Sequence, residues 1–316
     1  MVSAVPAAIL LACLYLVDLP FYVVSPGPAD DALPLIDIDG RETFPSGGRL
    51  LFTTVYAGPG NVYDVARASV DDGARVVPES LFLQPGQTDA EYDAQQRSAM
   101  DQSKLDAAAV ALREVTRYPE RHGRGAVVES VFRGTPAEGR LFPGDLVISA
   151  GDRAVRSIDD LADAIQRAGA GGELSVEVRP IEGGDVRRVV LRPARIGGDV
   201  VIGVSLIENF PFDVRIESGD IGGPSAGLMW AIGIVDLLTP GDLTGGRTIA
   251  GTGDIDLEGN VAPIGGITEK LIAAERAGAE LFLVPEANME EARATPASID
   301  LVSVATLDDA LHSLEG

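Results

Sequence analysis

The 316-residue chain carries 48 acidic against 25 basic side chains, a formal charge of -23, 46% hydrophobic residues and a single Cys. That balance argues against a nucleic-acid partner, because a phosphate backbone demands a basic face and no basic run interrupts the acid excess. One Cys excludes an intramolecular disulfide and a thiolate metal cluster, and two His, His122 and His312, leave little for a His-based metal site or a Ser-His-Asp triad.

Residues 4 to 24, AVPAAILLACLYLVDLPFYVV, form an apolar run of membrane-crossing length interrupted by Pro6, Asp18 and Pro20. The expectation is a transmembrane helix or signal anchor over 1–24; a cleaved signal peptide or a buried helix are the alternatives. Leu10-Leu11-Ala12-Cys13 has the look of a lipobox, but a lipobox Cys should end the apolar stretch and here it does not. The first basic residue after the run is Arg41, so the positive-inside rule places the remaining chain outside the cytoplasm, as a single-pass protein of the cell membrane.

Residues 25–47, rich in Pro, Gly and Asp, read as an exposed stalk. Arg49 to Tyr56, RLLFTTVY, reads as a strand closed by the turn residues AGPGN. Between Gln102 and Tyr118, Leu105, Ala108, Ala109, Leu112 and Val115 recur at helical spacing, and Pro119 stops the helix. From Gly123 to about Arg195 the texture changes to short strands, turns and one helix over Ser157 to Ala168. The segment GTPAEGRLFPGDLVISAGDRAV resembles a PDZ domain of the bacterial kind, expected over 123–196. PDZ domains take a peptide as an added strand and hold its terminal carboxylate with loop N–H groups. By that resemblance Gly123, Arg124, Gly125 and Ala126 would form the cradle, the alternative being an ordinary turn in a spacer domain.

Two later segments carry chemistry. In Gly222-Gly223-Pro224-Ser225-Ala226-Gly227, ahead of the apolar LMWAIGIVDLL, Pro224 suits a first helical turn. Ser225 then sits at a helix N-terminus, where free N–H groups can hold a developing oxyanion; a plain capping role is the bland alternative. In Ile267-Thr268-Glu269-Lys270-Leu271-Ile272-Ala273-Ala274, residues Ile267, Leu271 and Ala274 mark an inward face, with Lys270 at its edge. Burial disfavours ammonium, so Lys270 can become a neutral amine that accepts a hydroxyl proton, which Arg cannot do. Of the 25 basic residues only Lys104 and Lys270 are Lys, which sharpens the choice; a snorkelling surface Lys is the alternative.

Together GGPSAG, TGDIDLEGNV and APIGGITEKLIAA resemble the proteolytic domain of the Lon family in order and spacing, over about 198–316. The resemblance implies that Ser225 is the nucleophile, Lys270 the general base and Thr252 the hydroxyl that orients the amine, with Gly223, Pro224 and Ala226 in the loop shaping the oxyanion hole. Many family members have an acidic residue three before the serine, and here that position is Gly222. RLLFTTVY and the helix after Gln102 look like the opening of the same fold, so 48–120 would join 198–316 around an inserted PDZ unit. A separate N-terminal β-rich domain is the alternative.

The expected architecture is thus α+β: a Lon-type proteolytic domain with an inserted β-rich PDZ domain, after one transmembrane helix. No GxxxxGK[ST] loop occurs in the sequence. The expected function is an ATP-independent serine endopeptidase acting on unfolded or PDZ-delivered proteins, without cofactor or metal, as a homo-oligomeric ring, a hexamer by resemblance. A non-catalytic PDZ adaptor at the membrane is the rival. A protease working with a separate ATPase subunit fits an outward-facing chain poorly.

Overall fold

A computed structural model describes residues 18–71 and 73–315. The chain opens with β1 (Asp18–Asp31), β2 (Ile36–Asp39), β3 (Arg49–Asn61), α1 (Val62–Ala68), β4 (Arg75–Pro78) and the long α2 (Asp89–Val115). A second group follows: β5 (Ala126–Val131), β6 (Asp145–Ala150), β7 (Arg153–Ala154), α3 (Ile158–Ala168), β8 (Leu174–Pro180), β9 (Arg187–Leu191), β10 (Ala194–Ile196), β11 (Asp199–Val201) and β12 (Val204–Glu208). The last group is β13 (Asp213–Ile216), α4 (Gly227–Leu238), β14 (Thr248–Gly251), β15 (Asp254–Ile255), β16 (Val261–Ala262), α5 (Ile267–Arg276), β17 (Leu281–Pro285), α6 (Met289–Ala294), β18 (Asp300–Val304) and α7 (Leu307–Leu314).

One mixed sheet joins the two ends of the sequence in the order β18-β17-β14-β3-β1-β4. β3 pairs parallel with β14, which pairs parallel with β17, whereas β1 runs antiparallel to β3 and β4. β2 and β13 close a second junction as an antiparallel ribbon, Ile36 opposite Ile216. The main core spans both ends of the chain: Phe52 of β3 lies 4.7 Å, centroid to centroid, from Trp230 of α4, and both are fully buried. The second group forms an antiparallel sheet, β12-β5-β6-β8-β9, wrapped on α3 around its own core of Val128, Val147, Leu161, Val176, Val178 and Leu191. The whole is a mixed α/β protein with a small β-rich domain between two halves of a larger unit.

Two expectations need correction. Asp18–Val24, the end of the expected transmembrane helix, is strand, with Tyr22 and Val24 buried in the sheet. Residues 1–17 lie outside the described residues, and no helix among those described is long and apolar enough to cross a membrane. The expected stalk is also strand over much of its length. Register shifts at Asp18/Tyr22 and Pro26/Ala29 let β1 pass its prolines, and β4 pairs only with Phe21–Val24, so Pro26 and Pro28 leave no β4 acceptor unmet. The Ile36-Asp37-Ile38-Asp39 stretch alternates buried and exposed, as a half-buried strand must.

Candidate active site

Ser225 and Pro224 lie in a turn just ahead of α4 rather than in its first helical turn: the helix begins at Gly227, capped by Ala226. The Gly227 N–H closes the turn on the Pro224 carbonyl at 3.1 Å. Gly223, at φ +87°, reverses the chain into it, a conformation L side chains rarely adopt. α2 forms one wall of this turn. The Gly223 N–H donates to the Gln96 carbonyl at 2.9 Å, and the buried Ser103 hydroxyl donates to the Pro224 carbonyl at 2.8 Å. A Cβ on Gly222 would stand 2.8 Å from Gln96 Cβ, and one on Gly227 2.5 Å from Ser103 Oγ. Glycine is what this close approach leaves room for.

Lys270 enters from the other side. Gly266, at φ +74°, caps α5 in the left-handed region, and Ile267, Leu271 and Ala274 bury the inward face as the spacing predicts. Lys270 goes in with them, only 2% exposed. Its Nζ stands 2.6 Å from Ser225 Oγ and 2.9 Å from Thr252 Oγ1. The Thr252 hydroxyl donates to the Ser225 carbonyl at 2.9 Å, so its oxygen is free to accept from the amine. Desolvation pushes the Lys270 ammonium down from the usual 10.5 to about 7. The structure therefore brings Ser225, Lys270 and Thr252, 45 residues apart at the extremes, into one contact.

Two buried acidic residues, one on α5 and one on α2, escaped the sequence reading. Glu269 is fully buried and takes a bidentate contact from Arg75 of β4, at 2.5 and 2.9 Å. Pairing across nearly 200 positions leaves no local signal. Further along α2, Asp106 is buried with one oxygen unpartnered. Desolvation first, then the Glu129 and Asp254 carboxylates, push it up to about 8, so it is protonated at neutral pH. Among the described residues no group of three or more His, Cys, Asp or Glu could hold a metal ion.

The expected peptide cradle, Gly123 to Ala126, leads into a strand that is paired on both sides. Ala126 opens β5, which has β12 on one side and β6 on the other, so no strand can be added there. Two main-chain groups before it are taken: the Gly123 N–H donates to the Asn209 carbonyl, and the Asn209 amide donates to the Arg124 carbonyl, both at 2.9 Å. Gly125, at φ +108°, makes the turn into β5. The open edge belongs to β12, the end strand of the sheet, which lies beside α3. The loop leading into β12 turns at Gly203, φ +84°, where a Cβ would meet Thr135 at 2.1 Å. The run Val201-Ile202-Gly203-Val204, a glycine between apolar residues ahead of a strand, was the available signal.

Residues 204–314 match the family model of the Lon protease (S16) C-terminal proteolytic domain, and residues 127–180 match a PDZ domain. Lon protease of Rickettsia conorii is 40% identical over 116 residues, which is 34% of this chain and 15% of that protein. Lon protease of Roseiflexus castenholzii is 42% identical over 104 residues, 31% of this chain and 13% of that protein. This chain thus spans about a seventh of the length of the curated relatives it matches. Among solved structures, the PDZ domain of an SdrC-like protein from Listeria monocytogenes is 25% identical, covering 26% of this chain and 87% of that one, at a TM-score of 0.24. The C-terminal third of the chain is thus similar to the proteolytic domain of Lon serine peptidases, and the segment ahead of it to a PDZ domain.

Proposed function

We propose that this chain is an endopeptidase that hydrolyses peptide bonds of unfolded or PDZ-delivered proteins through a Ser225-Lys270 dyad, without ATP. The observation that carries the reading is the 2.6 Å contact between Ser225 Oγ and the Nζ of a Lys only 2% exposed. A neutral Lys270 amine gives one N–H to Thr252 Oγ1 and turns its lone pair to the Ser225 hydroxyl. As Ser225 Oγ attacks the peptide carbonyl, its proton passes to Nζ. The resulting ammonium returns a proton to the leaving amine, and Lys270 then takes one from the water that releases the acyl group.

The oxyanion site differs in detail from the expectation. The Gly223 N–H is committed to Gln96, whereas among the described residues the N–H groups of Ser225 and Ala226 have no hydrogen-bond partner. Those two are assigned to the oxyanion, with Gly223 and Pro224 shaping the turn that presents them.

For the PDZ domain the free edge of β12 supports a peptide added as a strand, its terminal carboxylate beside the Gly203 turn. Membrane attachment is proposed through residues 4–17, which are apolar and end where β1 begins, with the folded domains extracytoplasmic and assembled as a ring. Carbonate extraction and external protease accessibility test the first part, and sedimentation velocity the second.

The deciding experiment measures cleavage of unfolded casein without nucleotide by the wild type, Ser225→Ala and Lys270→Arg. Cleavage by the wild type and its loss in both folded variants supports the dyad. A folded wild type that does not cleave, or a Ser225→Ala variant that does, refutes it and favours the adaptor reading.

A further inference from the structure

The PDZ domain touches the nucleophile turn through one helix. Along β5 the side chains alternate: Ala126 and Val128 enter the PDZ core, while Val127 joins the core of the peptidase unit. Glu129 follows Val127 on that outward face and is buried, at 5% exposure. It sits at an irregularity of the sheet: Ser205 of β12 pairs with Ser130 and Leu206 with Val128, which leaves Glu129 without a counterpart. One carboxylate oxygen accepts from the Gln102 amide of α2 and the other from the Ser130 hydroxyl, at 2.9 Å for the latter. The next residue of α2 is Ser103, whose hydroxyl donates to the Pro224 carbonyl at 2.8 Å, immediately before Ser225. About two turns earlier, Gln96 accepts the Gly223 N–H at 2.9 Å.

Building on the reading of Ser225 and Lys270 as the dyad, we propose that Glu129 of the PDZ domain and Ser103 of α2 are positioning residues for the nucleophile. Glu129 fixes the Gln102-Ser103 turn of α2, and Ser103 fixes Pro224, so that Ser225 Oγ meets the Lys270 amine. Glu129 and Ser103 are buried and Gln102 and Pro224 half-buried, so each hydrogen bond of the link is costly to lose. Asp106, one turn further along α2, adds a reason for the link to be sensitive. It is buried with one oxygen unpartnered, and its carboxyl feels the charges of Glu129 of β5 and of Asp254 of β15, two residues beyond Thr252. A displacement of β5 is therefore felt on both sides of the dyad. Since β5 is the direct neighbour of β12, a peptide on β12 would act on this strand first.

The test uses the full chain and a short, end-blocked fluorogenic peptide drawn from a casein site that the wild type cleaves. Blocked ends keep the peptide off a carboxylate cradle, so the readout is the dyad itself. Ser103→Ala and Glu129→Ala should lower kcat about tenfold or more, as displacements of an ångström or less do, with KM within about twofold. Glu129→Gln keeps an acceptor for Gln102 and should retain most of the wild-type kcat. Asp145→Asn disturbs a different buried carboxylate of the same domain, one that pairs with Arg187, and should leave kcat unchanged. Wild-type kcat in a folded Glu129→Ala overturns the proposal. So does an equal loss of kcat in Asp145→Asn, which would mean any weakening of the PDZ domain suffices. Ser225→Ala assayed alongside separates the two readings: if it still hydrolyses the peptide the dyad itself is wrong, whereas its inactivity with an unaffected Glu129→Ala removes only the link.

Discussion

Burial of Lys270 sets the pH dependence of the reaction. Moving the amine from its ordinary 10.5 to about 7 corresponds to a penalty of about 5 kcal/mol on the ammonium form. The first cause is desolvation; among the described residues Nζ has only the two hydroxyls of Ser225 and Thr252 within hydrogen-bond reach. About a tenth of the protein then carries a neutral amine at pH 6, about half at pH 7 and nearly all by pH 9. Because kcat/KM reports the free enzyme, it should rise with a slope near one below pH 7 and level off above about pH 8. The assay is kcat/KM for the end-blocked peptide from pH 5.5 to 10 at constant ionic strength. A profile flat from pH 6 to 10 would show that no titrating base acts in this window. One still climbing tenfold per unit between pH 9 and 10 would show a solvated Lys with its ordinary basicity, and would refute the burial argument.

The same burial makes Lys270 a burden on the fold. Between pH 7 and 10.5 the unfolded chain holds this proton and the folded chain does not, so stability rises with pH across that window and the burden is full at and below pH 7. Lys270→Met should therefore be stabilised at pH 7 by about 2 kcal/mol after losing its hydrogen bonds, with the gain fading towards pH 10; destabilisation at pH 7 by urea titration would contradict this. Arg75→Ala leaves the fully buried Glu269 without its partner and should cost about 2 kcal/mol, the low end for a buried pair because Arg75 is itself 46% exposed. An unchanged urea midpoint would refute that role. Gly203→Ala should weaken binding of a peptide with a free C-terminus at least about tenfold by fluorescence anisotropy, since the added Cβ meets Thr135 at 2.1 Å. Undiminished binding would remove the β12 cradle.

What the sequence made legible is local. Ser225 and Lys270 are readable because each sits in a short motif whose glycines and apolar spacing fix its own turn or helix, whereas Thr252 is reached only through the resemblance to the Lon family. α3 and α5 follow the apolar periodicity closely, whereas α4 is apolar and buried nearly all round. The first half of α2, Asp89 to Asp101, was missed because its residues are polar, although Thr88 and Glu91 form a capping box that marks its start. β1 was read as helix and stalk because an apolar run and a Pro-Gly-Pro segment each match those elements better than a bulged strand. The alternation of Ile36 and Ile38 with two aspartates was the legible warning. The open edge was not legible because its strand, β12, comes last in the small domain, and pattern alone does not show which edge neighbours cover.

Gly222 shows how the pieces depend on one another. An acidic side chain three before the nucleophile is what the Lon resemblance leads one to expect, and its absence looks from sequence alone like a loss of control over the turn. In the fold that position faces α2 so closely that a Cβ would stand 2.8 Å from Gln96 Cβ, and the same helix supplies Gln96 and Ser103 as partners for Gly223 and Pro224. A carboxylate at 222 and a close α2 are mutually exclusive. The turn is held by hydrogen bonds with a helix instead, and that helix also donates, from Gln102, to Glu129 of the PDZ domain. Restoring Asp at 222 should accordingly push α2 off the turn and lower activity rather than improve it.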